Sequence, residues 1–326
     1  MRAITLVLAV VLVVAGCGAA TNPVAGQDPK AVQPLPAGAK EIRSIEQPNV
    51  DDSCDPTASY RPSGPLPAPG AFPGGSTMAQ IYQRGRLKVG VDQNTYKFAY
   101  RDSETGQIEG FALDVAKEMA KAIFGDETKI QLVVLTSAQR VPAVENGDVD
   151  MVVHTMTANC DRWKQVDFST VFFKAGQKVL VKKEFDYQGL QSLAGKKVCA
   201  TEGSTSLPRI VNLPNVNPKP IGMQVSGWTD CLVLLQQNQV DAISTDDTIL
   251  AGLAAQDPFT VVPQQQPIAD EPYGIAMQKN HTDLVRFVNA VLDRMRGDGR
   301  WSQIYNQWMQ PLLHDSPAPP PARYRD

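Results

Sequence analysis

Histidine and cysteine are scarce in this chain of 326 residues, which has three of the former, five of the latter and no C-x-x-C pair. A structural zinc site needs closely spaced ligands of these types, so that class is set aside and no metal or other cofactor is expected. No G-x-x-x-x-G-K-S/T phosphate loop occurs either, so any energy coupling must come from partner subunits. Charge of one sign is not concentrated anywhere. The 31 Lys and Arg against 34 Asp and Glu leave a net charge of −3 with no long basic block, which argues against a nucleic-acid partner. The long apolar run, Ala3 to Ala15 behind a single Arg, falls short of the roughly 20 residues of a spanning helix and reads as a secretory signal.

That run ends in "VAGC", which resembles the lipobox of bacterial lipoproteins, in which the bond before the Cys is cut and the Cys is acylated. The resemblance implies a signal peptide over 1–16 and a mature N-terminus at a lipidated Cys17, tethered to the outer face of the cell membrane. A plain signal peptide that happens to contain a Cys is the alternative. Residues 18 to about 76 are rich in Pro, Gly, Ala and Ser, densest in "PSGPLPAPGAFPGG". This composition predicts a spacer, partly polyproline II, between lipid and globular body. By the same argument "DSPAPPPARYRD" (within 314–326) is expected to be a disordered tail.

An exported chain sits where disulfides persist, and Cys54, Cys160, Cys199 and Cys231 remain for pairing. Of the three pairings, Cys54 with Cys160 and Cys199 with Cys231 is favoured, because Cys199 closes a predicted strand and Cys231 starts a nearby helix.

Between about 77 and 313 the pattern alternates strand and helix. "RLKVGVD" (86–92), "IQLVVL" (130–135) and "VDMVVHT" (149–155) read as strands, and "EGFALDVAKEMAKAIFG" (109–125) as a helix with a Gly stop. A second set begins near 195 with "KKVCATEGSTSLPRIV", "CLVLLQQNQ", "VDAISTDDTIL" and "YGIAMQK". The fold class is therefore α/β, with two lobes and a ligand cleft at the carboxyl ends of their strands. Residues 154–162 and 245–247 follow strands directly and are the expected site.

"VDMVVHTMTANCDRWKQVDFS", "KKVCATEGSTS", "VDAISTDD" and the segment from "YGIAMQK" to "IYNQW" together resemble the polar amino-acid-binding proteins of bacterial ABC importers, the glutamine- and glutamate/aspartate-binding lipoproteins of solute-binding protein family 3. The resemblance runs from about 80 to 310. It implies a type II periplasmic-binding-protein fold, with lobe 1 over 77–178 and 273–313, lobe 2 over 179–272, and hinge strands near 177–181 and 268–274. The implied function is capture of one amino acid by a monomer that serves a permease and its ATPase subunit.

An amino-acid zwitterion must have its carboxylate, ammonium and side chain satisfied once water is excluded. In the family's positions, Arg162 takes the α-carboxylate, with Thr157 adding its hydroxyl and backbone N–H. The Thr155 carbonyl and the Asp246 carboxylate take the ammonium. Gly203, Ser204 and Thr205 offer N–H and hydroxyl groups at a helix start, and Phe111 packs on the aliphatic part of the ligand. Each has a plainer alternative: a surface ion pair for Arg162, a helix N-cap for Asp246, ordinary capping for "GSTS", a core position for Phe111. Arg140 and Lys97 point to an acidic ligand, glutamate or aspartate, whereas Asp92 stands where glutamine binders accept from a side-chain amide. The acidic ligand is favoured, with asparagine or glutamine tolerated. Two other function classes stay open: a ligand-sensing subunit for a membrane receptor, and a dehydratase-like enzyme, for which His154 is the one candidate acid or base and a neutral packed histidine its plainer reading.

Overall fold

The computed structural model describes residues 34–45 and 54–326, so the signal segment 1–16 and Cys17 lie outside the described residues. Apolar clusters divide Pro36–Asp326 into lobes, two of them against the lobe 1 sheet and one in lobe 2. In lobe 1, five strands lie in the order Ile130–Val134, Leu87–Val91, Met151–Val152, Ala276–Gln278, Val166–Phe168. The first three are parallel, and Ala276–Gln278 joins antiparallel to both neighbours. Leu87, Val89 and Val91 are fully buried, as expected for a parallel strand covered on both faces. The helix Phe111–Phe124 closes one face with ten buried residues and ends at Gly125 in the left-handed conformation, whose N–H returns to the Lys121 carbonyl at 2.8 Å.

Lobe 2 is built on the strand order Lys40–Ile42, Ile221–Val225, Lys197–Thr201, Ala242–Asp246, Phe173–Lys182, Thr260–Val261. Helices Ser206–Val211, Trp228–Gln236 and Asp247–Gln256 pack on it. The strand Phe173–Lys182 crosses between lobes: its first half pairs with Ala269–Tyr273 from Phe173↔Tyr273 to Gln177↔Ala269, and its second half belongs to the lobe 2 sheet. Phe173 and Tyr273 lie in the lobe 1 core, while Val179, Leu180 and Val181 lie in that of lobe 2. These two antiparallel strands connect the lobes, at the positions where the resemblance implies the hinge strands.

Disulfides join Cys54 to Cys160 and Cys199 to Cys231, the pairs favoured from the sequence. Two compositional expectations are corrected. The tail 314–326 is ordered: the Ser59 N–H donates to the Arg323 carbonyl at 3.0 Å, the Arg325 N–H returns to the Ser59 carbonyl at 3.0 Å, and the Tyr324 hydroxyl donates to Asp293. The spacer is ordered where described. Lys40–Ile42 pairs antiparallel with Ile221–Val225 of lobe 2, and Asn289, fully buried in lobe 1, donates to Ser59 Oγ at 2.9 Å and to the Tyr60 carbonyl at 2.7 Å. Proline removes donors but leaves carbonyls, and here Trp163 Nε1 donates to the Pro56 carbonyl at 2.9 Å and Arg296 to that of Pro320 at 2.8 Å. Aromatic and disulfide anchors at intervals suffice to order a chain whose composition alone is loop-like.

Candidate functional site

Lobe 1 presents the segment 154–162 at the end of Met151–Val152. Asn159 caps the short helix Cys160–Gln165, its side chain accepting from the Arg162 N–H at 2.8 Å, so the helix turns Arg162 back toward the residues before it. Arg162 Nη1 donates to the Thr157 carbonyl at 2.7 Å, and Nη2 reaches across to the Gly203 carbonyl of lobe 2 at 3.0 Å. Behind this helix, buried Asp167 accepts from Lys279 Nζ at 2.8 Å and from the Asn280 N–H at 2.9 Å, which fixes the following "DFS" to the returning chain.

Arg140 lies beside Arg162 and is almost fully buried. Its guanidinium donates to the carbonyls of Ser137 (2.9 Å), Thr155 (2.6 Å) and, across the cleft, Gly203 (3.1 Å). Burial, with the Arg162 charge beside it, lowers the Arg140 guanidinium to about 9, and burial lowers Arg162 also. Gly203 receives both arginines because its backbone seats directly on lobe 1. A Cβ there would stand 2.7 Å from Ala138 Cα, and its φ of +73° is one that other residues resist.

Lobe 2 contributes Asp246 at the end of Ala242–Asp246. It occupies the N-cap position of Asp247–Gln256, yet its side chain makes no capping bond. Instead Oδ2 accepts from the Tyr273 hydroxyl at 2.5 Å, and Oδ1 is buried without a partner among the described residues. Trp228 Nε1, which belongs to the same cavity lining, is likewise unpartnered among them. Burial, then the nearby Glu271 charge, raise Asp246 well above the usual carboxylate range. Native structures leave few such orphans. A buried acceptor and a buried donor in one lining are what a ligand with both kinds of polar group would satisfy.

Thr155, Thr157, Arg162, Ser204, Thr205 and Asp246 all line this one cavity, together with Arg140. Ser204 caps the following turn, its hydroxyl donating to the Thr201 carbonyl at 2.7 Å and accepting from the Leu207 N–H at 3.3 Å. Gly203 contributes its carbonyl rather than the expected N–H.

Three expected residues are not among this cavity's lining. Phe111 is a core residue, its ring 5.2 Å from Phe173 and 5.9 Å from Trp301; full burial of such a ring contributes about 2–3 kcal/mol to lobe 1. Lys97 has a left-handed backbone that turns its ammonium over Tyr96, Tyr100 and Trp308, at 5.2, 5.6 and 5.5 Å from the ring centres. Asp92 closes its own loop, accepting from the N–H groups of Gln93 and Asn94 and from the Thr95 hydroxyl at 2.5 Å. His154 is buried beside the site with Nδ1 3.2 Å from Thr155 Oγ1, and burial lowers its pKa to about 4, so it is neutral at pH 7.

Glu271 was missed in the sequence. It lies on a hinge strand, is fully buried, and accepts from Thr157 of lobe 1 and from Thr205 (2.9 Å) and Arg209 of lobe 2. Among the described residues no group of His, Cys, Asp and Glu could hold a metal ion, and no helix is long and apolar enough to cross a membrane.

Residues 87–311 match the bacterial extracellular solute-binding proteins, family 3. Over 235 residues the chain is 39% identical to the ABC transporter glutamine-binding protein GlnH of Bacillus subtilis, covering 72% of this chain and 85% of that protein. It is 30% identical over 254 residues to the glutamate-binding protein GluB of Corynebacterium efficiens, covering 74% and 85%. Among solved structures, the L-cysteine solute receptor of Neisseria gonorrhoeae superposes with a TM-score of 0.68 at 25% identity, over 73% of this chain and 95% of that one. An ancestral arginine-binding protein bound to arginine superposes at 0.62 with 32% identity, over 69% and 99%. With its two lobes, crossing hinge strands and interlobe cavity, the chain has the type II periplasmic-binding-protein fold and belongs to the bacterial extracellular solute-binding proteins, family 3.

Proposed function

We propose that this protein captures one polar L-amino acid between its lobes outside the cytoplasm and delivers it to the permease and ATPase subunits of an ABC importer, with Cys17 as its lipid anchor. The observation that carries the reading is the polarity of the cavity: cationic Arg162 on lobe 1 opposite buried Asp246 on lobe 2, whose free oxygen faces no partner among the described residues. A zwitterion satisfies both ends at once and stabilises the closed arrangement only by that difference. The Thr157 carbonyl orients Arg162 and the Thr155 carbonyl orients Arg140 beside it, and Ser204 and Thr205 complete the lobe 2 wall.

The ligand is glutamine before glutamate or aspartate. Lys97, the cation expected for a second carboxylate, lies over three aromatic rings, and Arg140 directs its donors to three carbonyls. Relatives at 39% identity from Bacillus subtilis and Geobacillus stearothermophilus carry the name glutamine-binding. The test is calorimetric titration of the full chain with glutamine, asparagine, glutamate and aspartate, repeated on Arg162→Ala. Saturable binding of about −8 kcal/mol that disappears in the variant is expected; no heat from any of the four would sink the reading.

A further inference from the structure

The Glu271 carboxylate is fully buried, yet its ion-pair partner Arg209 has a side chain 30% exposed. The negative end of the pair therefore faces the cleft and the positive end faces outward. An ionised carboxylate can only accept, so the Thr157 and Thr205 hydroxyls each give it their single proton. Both threonines line the cavity, and what they can then offer a ligand is lone pairs. Arg209 is itself held in place by Gln177, whose Oε1 accepts at 2.5 Å while its amide donates to Ser244 at 2.9 Å.

We propose that Glu271 is a specificity-determining residue: from the hinge it turns two cavity hydroxyls into acceptors and sets a negative charge behind them, so that the site favours an uncharged amide side chain over the isosteric carboxylate. The charge is felt within the cleft, since Glu271 is the leading charged neighbour acting on both Arg162 and Asp246. Removing that charge would leave Arg140, Arg162 and Arg209 facing the Asp246 carboxylate alone. Without it, a second carboxylate becomes acceptable. The inference rests on the amino-acid-binding reading above and names the side-chain class of that same site.

The decisive quantity is the ratio of glutamate to glutamine dissociation constants, because a merely structural role would weaken both ligands alike. Calorimetry on the full chain should show glutamine bound more tightly by the wild type. Glu271→Gln should shift the ratio about tenfold toward glutamate, the order expected for removing one charge within a few ångströms of the ligand. Glu271→Asp, which keeps the charge, should retain the wild-type ratio. Arg209→Gln, which leaves the carboxylate without its partner, should move the ratio the other way or leave it, and it carries the test should Glu271→Gln fail to fold. Equal loss of both ligands in Glu271→Gln, a shift toward glutamate in Arg209→Gln, or a wild type that prefers glutamate would overturn the inference. A wild type that binds neither would sink the binding reading and this inference together.

Discussion

The two walls of the cleft are finished to different degrees. On lobe 1, Arg140 and Arg162 have their donors directed to the carbonyls of Ser137, Thr155, Thr157 and Gly203, and the helix carrying Arg162 is capped by Asn159 and tied at its first residue to Cys54. On lobe 2, Asp246 keeps one buried oxygen without a partner among the described residues, and Trp228 keeps its N–H so. A wall whose polar groups are already oriented loses little entropy on binding, whereas one with orphaned groups gains most when they are satisfied. The contrast assigns pre-organisation to lobe 1 and the drive to close to lobe 2.

Breaking the finished wall should cost most. Arg162→Ala removes a charge-assisted contact from a desolvated site and is expected to cost about 4 kcal/mol of binding, near a thousandfold by calorimetry, while circular dichroism stays that of the wild type. Acid should also strike lobe 1 first. His154 is neutral in the fold down to about pH 4 but takes up a proton near 6.5 when unfolded. Between those values the unfolded state binds more protons, so stability rises with pH there and falls on acidification, by about 3 kcal/mol over the whole window. Thermal melts at pH 7 and pH 5 should show that loss, and His154→Gln should reduce it.

The unfinished wall is probed by Asp246→Asn, expected to weaken binding by about 2 kcal/mol. Because the folded pKa of Asp246 is raised, its proton is retained in the fold above the ordinary carboxylate value and lost in the unfolded chain, so this group makes stability fall as pH rises through that interval. A ligand ammonium favours the charged form, so binding should release a proton and tighten with pH. Titrations in buffers of different ionisation enthalpy would show this, and Asp246→Asn should abolish it. The smallest effect concerns the tail: Arg325 stacks 3.8 Å from the Trp163 ring centre, and Arg325→Ala should cost about 1 kcal/mol of stability in denaturant melts with binding unchanged.

What could be read from the sequence was local. Thr157 and Arg162 are brought together by one capped turn and Asp246 ends a strand, and all three were singled out because "VDMVVHTMTANCDRWKQVDFS" and "VDAISTDD" resemble the family's motifs. Gly203 and Thr205 lie on the turn after a strand and were found on the same ground. Glu271 lies in the expected hinge stretch 268–274 but no local motif marks it, because its partners Thr157, Thr205 and Arg209 are far away in the chain. Lys97 was singled out on the resemblance alone, which carries no information on its positive φ or on the three rings its ammonium lies over. The tail was misjudged because composition counts prolines and does not see Tyr324 and Arg325 docking on Asp293 and Trp163.

The most direct test of the account is a crystal structure of the protein grown with L-glutamine. The α-carboxylate should lie on the Arg162 guanidinium and the ammonium within hydrogen-bond distance of Asp246 Oδ1. A ligand bound with Asp246 Oδ1 unengaged, or with its carboxylate turned away from Arg162, would contradict it.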